Sequence, residues 1–347
     1  MDNVFDSFLV GSPNGGGLLH VHEGRVHKID HLDTTGLYLH ERKLLRGIQP
    51  ALVIAYGDRV VELNPADVAF GDIHDVLIQD DKYYLVGTWG NEVVCVDASG
   101  VELERWKFPG EDDSWHINCI ADWNGRIVFC AFGEFAGHRE YKGRSTETGF
   151  VRDLLTGETL ISGLTQPHSL VPFNDDLLVA NSGARQLLQY APDGSIRRKL
   201  DIDGYVRGLA IAGDVLYLGL SKSRNAPLDD VSGGAVLALD KNSWSELGKL
   251  PLPVNEVYSI LPMAAEDSGF IVSMIAAHSA KLLSEVLAKK TQSLSEAERD
   301  LAQVAVEREQ VSKLVGQVQD QSLRLSADVA LQRFEALDAA LEVLLSD

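Results

Sequence analysis

Over most of the chain short apolar runs alternate with polar turns, and only near the end does the apolar spacing lengthen to three or four residues. The first pattern predicts strands and the second an amphipathic helix. The strand signal comes in pairs: residues 74–78 with 83–87, 116–120 with 126–131, 168–171 with 176–180, and 207–211 with 215–219. A further copy is predicted at 256–260 with 269–273, and an earlier one begins near Thr35. Third strands follow at 93–97, 187–190 and 235–240, with Asp- and Gly-bearing turns at 97–100 and 192–194, the residue types that hairpins require.

His74, His116, His168, Arg207 and Glu256 open successive copies at spacings of 42, 52, 39 and 49 residues. A four-stranded propeller blade takes about 40–50 residues. Long loops at 133–149 and 221–234 account for the larger spacings. Six starts predict an all-β, six-bladed β-propeller over residues 1–275. The strands at 8–11 and 18–21 lack an inner strand of their own. They are expected to complete the last blade beside the segments near Glu256 and Phe270, which would remove exposed sheet edges. The Trp-Asp dipeptide of WD40 repeats is absent from the third strands.

From Ala276 the chain changes character. All 11 prolines lie at or before Pro262, and of 31 glycines only Gly316 follows Gly269. Leu287, Leu294, Leu301, Arg308, Val315, Ser322 and Val329 fall seven apart, and Leu283, Ala297, Val304, Val311, Val318 and Leu325 fill most of the matching positions four residues earlier. This a/d seam predicts a long α-helical coiled coil over residues 276–347 and a homo-oligomer formed through it. Phe334, Leu337, Leu341 and Leu344 are out of phase with the seam, so a discontinuity or a hairpin is expected near 316–322.

The net charge is −20, of which the tail carries −4. That balance argues against a nucleic-acid or anionic-membrane partner. No apolar run reaches membrane-spanning length, and the first residues lack a secretory pattern. Cys95, Cys119 and Cys130 form no framework of paired spacings, which points to a reducing compartment and a cytoplasmic location.

The stretches Asp113-Ser114-Trp115-His116-Ile117-Asn118-Cys119, Gly163-Leu164-Thr165-Gln166-Pro167-His168-Ser169-Leu170, Gly219-Leu220-Ser221-Lys222-Ser223-Arg224 and Asn181-Ser182-Gly183 resemble a family of uncharacterised bacterial six-bladed propeller proteins. The resemblance spans nearly all of residues 1–275 and leaves out the coiled coil. It implies the fold, and an association with bacterial glycan metabolism.

In a propeller, residues at the start of each inner strand face one mouth of the central channel. Here they read Thr35, His74, His116, His168, Arg207 and Glu256. His74, His116 and His168 in one register could ligate a divalent metal such as Zn, Fe or Mn. Arg207 could clamp an anion, Glu256 could serve as a base or fourth ligand, and Asp75 could orient His74. Trp89, Asn91, Trp115, Asn181, Lys222 and Arg224 are candidate substrate-binding residues on the same side. The glycine-rich run 14–17 lacks a following GK[ST] and reads as a turn. Two functions follow. One is a lyase, hydrolase or epimerase, with or without a metal, on a sugar-derived or anionic small molecule. The other is a non-catalytic glycan- or protein-binding scaffold multimerised by the coiled coil.

Overall fold

The structure is a computed structural model that describes residues 4–63, 70–222 and 233–320, with Glu335, Ala336 and Ala339. Three strands lead: β1 (Ser7–Ser12), β2 (Gly17–His22) and β3 (Arg25–Asp30). Five four-stranded antiparallel sheets follow in chain order. They are β4 (Thr34–His40) to β7 (Val60–Leu63) through β5 (Lys43–Ile48) and β6 (Leu52–Tyr56), then β8 (Ile73–Gln79), β9 (Lys82–Gly87), β10 (Glu92–Val96) and β11 (Glu102–Lys107). Next are β12 (Ile117–Trp123), β13 (Arg126–Ala131), β14 (Gly149–Asp153) and β15 (Thr159–Leu164), and β16 (Pro167–Phe173), β17 (Asp176–Asn181), β18 (Gln186–Tyr190) and β19 (Ile196–Asp201). The fifth comprises β20 (Tyr205–Ala212), β21 (Val215–Ser221), β22 (Ala235–Asp240) and β23 (Glu246–Pro251).

The sixth blade is composite. β24 (Ser259–Pro262) supplies its inner strand, and β1, β2 and β3 supply the rest in that order. The inner strands β4, β8, β12, β16, β20 and β24 touch in sequence, and β24 touches β4. The ring is a closed six-bladed propeller. Apolar side chains from facing blades fill the spaces between them, as where Leu77, Tyr84, Val86 and Val93 of one blade meet Ile117, Ile120 and Phe129 of the next. The inner strands approach closely. A Cβ on Gly36 would lie 2.7 Å from the Cα of Asp75 in the next blade, so only glycine fits there.

One predicted strand is a helix. Residues 269–273 lie within α1 (Ala265–Asp320), which begins before the predicted Ala276. Ser268, Ile271, Ile275, His278 and Ser279 are buried, whereas Phe270 is exposed. That spacing of three and four is one face of a helix. The strand position beside β24 is already occupied, since Phe8–Gly11 of β1 pair with Ser259–Pro262. α1 continues through Gly316, so no hairpin occurs before Asp320. The chain divides into two compact units, residues 1–279 and 280–347.

Within the first unit a buried clasp secures the seam. The Arg46 guanidinium, at zero exposure, donates to both carboxylate oxygens of Asp30 at 2.7 Å and to Thr34 Oγ1 at 2.7 Å. Ser279 Oγ donates to Asp30 Oδ2 at 2.5 Å. The end of β3, the middle of β5 and the first turns of α1 thus share one fully satisfied network.

Candidate functional site

A cavity of about 520 Å³ opens at the mouth where the inner strands begin. His74, His116, His168 and Arg207 all line it, with Tyr141, Tyr205, Tyr258, Phe132, Arg139 and Asp72. The histidines nevertheless do not share one register. Ile73, Ile117 and His168 occupy corresponding ladder positions, paired with Gly87, Ala131 and Ala180. His74 is the bulged residue after that position, His168 stands on it, and His116 precedes it. A bulge re-aims the residue it extrudes, and His116 is turned by a positive φ of 50°. Three different backbone devices therefore converge on one cavity.

Each imidazole is held by its Nδ1. His74 Nδ1 donates to the Asp72 carbonyl at 2.9 Å, and His168 Nδ1 to Ser182 Oγ at 2.8 Å and the Gln166 carbonyl at 3.0 Å. His116 Nδ1 donates to Asp113 Oδ1 at 2.7 Å. All three hydrogens sit on Nδ1, so Nε2 is the accepting nitrogen of each neutral ring. Burial depresses His74 to about 4. Burial, reinforced by the Arg207 charge, holds His168 well below the ordinary histidine value.

Asp113 is the centre of this wall. It has no exposure, and it accepts from His116, from Arg139 Nε at 2.6 Å and from Tyr141 OH at 3.1 Å. Burial alone would raise its pKa, but the bonds from His116 and Arg139 hold it below the usual carboxylate range. Asp113 is therefore ionised and fixes the tautomer of His116. The loop 133–149 delivers Arg139, Tyr141 and Lys142, as expected for a long loop at this mouth.

The three histidines do not form a metal centre as placed. Phe132 packs on both His116 and His168, at 4.3 and 5.4 Å between ring centroids. Tyr258 packs on both His74 and His168, at 5.7 and 6.0 Å. Among the described residues no group of three or more His, Cys, Asp or Glu side chains is arranged to hold a metal ion. The residues as placed do not fit a three-histidine metal site.

Several of the other expected residues brace the fold. Arg207 is paired with Glu256 in a buried ion pair, which compensates its charge, and Glu256 Oε1 accepts from Asn14 Nδ2 at 3.0 Å. Asp75 does not orient His74. Its oxygens accept the Val76 and Ile120 N–H groups, tying β8 to β12, and burial lifts its pKa to about 7. Asn91 is buried, bonded to Glu111, Ser114 and the Trp115 N–H. Trp115 is a core residue stacked on Phe108 at 5.0 Å, not a cavity wall. Asn181 accepts the Thr165 N–H and donates to Gln186. Lys222 binds the Asn255 carbonyl through its backbone and does not line the cavity. Arg224 lies outside the described residues. Trp89 is exposed and borders a neighbouring cleft.

Sequence reading passed over Tyr258, Tyr205, Tyr141, Asp113 and Arg139. Tyr258 lines the cavity and donates to Asn118 Oδ1 at 2.8 Å. It reads in the sequence as one more apolar strand residue. Asp113 carried the better signal, since it lies three residues before His116.

A family model for a domain of unknown function, DUF4915, matches residues 67–258, more than half of the chain and the segment holding most of this wall. The chain belongs to that family. No curated protein matches it by sequence. A protein of unknown function from Bacteroides caccae is 16% identical over 74% of this chain and 98% of its own, with a TM-score of 0.55. A chain of a nidogen/laminin complex is 11% identical over 73% of this chain and 97% of its own, also at 0.55. A streptogramin B lyase structure is 8% identical over 75% of this chain and 87% of its own, at 0.49. These likenesses show the propeller fold alone.

Proposed function

We propose that the mouth binds a small polyhydroxylated ligand of the carbohydrate class, and that His116 moves a proton on it. The observation that carries this reading is the Asp113–His116 pair, an oriented imidazole whose Nε2 is left for a ligand. The surroundings support the ligand class. Tyr141, Tyr205, Tyr258 and Phe132 offer aromatic faces, and Asn14, Gln49 and Gln166 offer amides. Formal charges among the lining residues and their direct ion-pair partners balance: Arg139, Lys142 and Arg207 against Asp72, Asp113 and Glu256. The site thus suits a neutral or weakly charged sugar better than a strongly anionic one.

The chemistry follows from the protonation states. His74 and His168 are held neutral by burial and accept hydrogen bonds from ligand hydroxyls. Tyr141 and Tyr258 have phenols pushed up by burial, and both donate inward, so neither supplies the proton. His116 is left as the group that accepts a proton and returns it, the step that lyases, epimerases and hydrolases share. The test is incubation with a panel of monosaccharides and uronic acids in deuterated water. Saturation-transfer NMR reads binding, and solvent-deuterium uptake or new sugar signals read chemistry. Both are expected for the wild type, with the chemistry lost in His116→Gln. Equal turnover in His116→Gln overturns the assignment.

We also propose that residues 276–347 assemble copies of the chain. Leu283 and Leu287, at heptad spacing on α1, are 42% and 66% exposed, and a helix with a bare apolar stripe seeks a partner. Light scattering should give a discrete oligomer that becomes monomeric in Leu283→Glu/Leu287→Glu. No described helix is long and apolar enough to cross a membrane. The cysteine usage supports a reducing, cytoplasmic setting.

A further inference from the structure

Beside the main cavity lies a second cleft of about 510 Å³, bordered by Pro50, Phe70, Asp72, Trp89 and Arg139. Asp72 and Arg139 line both spaces and form the ridge between them. The Trp89 indole is 39% exposed, a large apolar surface left in solvent. It is also immobilised. The Trp89 backbone N–H donates to the Gly71 carbonyl at 3.2 Å, and the Trp89 backbone carbonyl accepts from the Asp113 N–H at 2.7 Å. His138 packs edge-on against the ring at 5.5 Å, and the Arg139 guanidinium stands 6.0 Å from its centroid.

From this we infer that the Trp89 cleft is a second sugar subsite, so that the ligand is a disaccharide or larger glycoside spanning the Asp72–Arg139 ridge. The inference rests on the carbohydrate reading of the main cavity. An exposed aromatic face held rigid gives contact area at little ordering cost, and the apolar face of a pyranose ring matches it in size. Asp72 and Arg139 are each already oriented, by Gln49 Nε2 at 2.7 Å and by Asp113 at 2.6 Å. They present a carboxylate and a guanidinium to hydroxyls next to the linkage. A backbone hydrogen bond from the Asp113 N–H to the Trp89 carbonyl thus joins the two loops that carry these residues. This couples the second ring to the His116 wall through Asp113.

The experiment is calorimetric titration of the full-length protein with glucose, galactose, N-acetylglucosamine and glucuronic acid, and with β-linked disaccharides of the same sugars. The best disaccharide should bind about tenfold tighter than its monosaccharide. Trp89→Ala should abolish that gain while leaving the monosaccharide constant unchanged, which also shows that the variant is folded. Trp89→Phe should keep most of the gain. Equal affinities for both sugars, a gain that survives Trp89→Ala, or a loss of monosaccharide binding in Trp89→Ala would each overturn the second subsite and leave the first standing. Failure of every sugar to bind the wild type would overturn both.

Discussion

Asp113 and His116 are joined side chain to side chain at 2.7 Å, and both hold left-handed backbone conformations, with φ of 51° and 50°. Non-glycine residues with positive φ cost energy and persist where the surroundings over-determine them. Here the strain turns one acid and one imidazole toward each other at the lip of the cavity. Replacing Asp113 with Asn removes the acceptor that keeps the His116 hydrogen on Nδ1. Proton transfer should fall about 10²–10⁴-fold, with a smaller change in sugar affinity. Deuterium-exchange rates and calorimetry on Asp113→Asn check both halves.

His74 and Asp75 are neighbours with opposite pH signatures. His74 titrates at about 4 in the fold against 6.5 ordinarily. Its stabilising contribution is complete above 6.5 and is lost as the pH falls toward 4. Asp75 titrates at about 7 against 3.8. Its contribution is complete below 3.8 and is lost as the pH rises through 7. Between about 4 and 6.5 the two slopes cancel, each being worth about 1.4 kcal/mol per pH unit. His74→Gln should therefore expose a decline in stability with rising pH across that window, read as Tm against pH beside the wild type.

Arg207 lines the cavity, and the buried carboxylate of Glu256 compensates its charge. Glu256→Gln should destabilise the protein by about 3–5 kcal/mol, because it strands a buried cation, whereas Arg207→Met/Glu256→Met should be close to neutral. Chemical denaturation of the two variants distinguishes this from a binding role, which both would lose alike.

The Arg46–Asp30–Ser279 clasp predicts acid sensitivity at the seam. Burial acts to raise the Asp30 pKa, but hydrogen bonds from Arg46 and Ser279 hold it below the usual value. Its contribution is complete above the ordinary carboxylate pKa and falls away as the pH drops below it. Asp30→Asn should flatten the acid limb of the stability curve and lower stability at neutral pH by about 3 kcal/mol. Thermal melts from pH 3 to 7 would show it.

The ring was legible in the sequence because each blade is a local meander, and alternating apolar residues at about 40–50 residue spacing record that directly. N-terminal closure was legible too, since strands at 8–11 and 18–21 had no inner strand. The run 269–273 misled because Phe-Ile-Val is apolar in any conformation. Only the buried Ile271, Ile275 and His278 reveal helical spacing. In the site, the residue types were readable but their registers were not. Bulges at His74 and a positive φ at His116 override simple counting. Trp115 and Asn91 look like binding residues in a list, and burial assigns them to the core and to loop bracing.

The composite blade also sets a timetable for folding. Five sheets pair strands adjacent in the chain and can form as each segment leaves the ribosome. β1 cannot: its Val10 waits for Ile260, 250 residues later. Until then the first three strands present an unpaired edge, and the seam is the contact with the largest loop-closure cost. Interrupted synthesis or a weakened β24 should thus leave five formed blades and an adhesive N-terminal sheet, making this seam the place where misassembly between nascent copies begins.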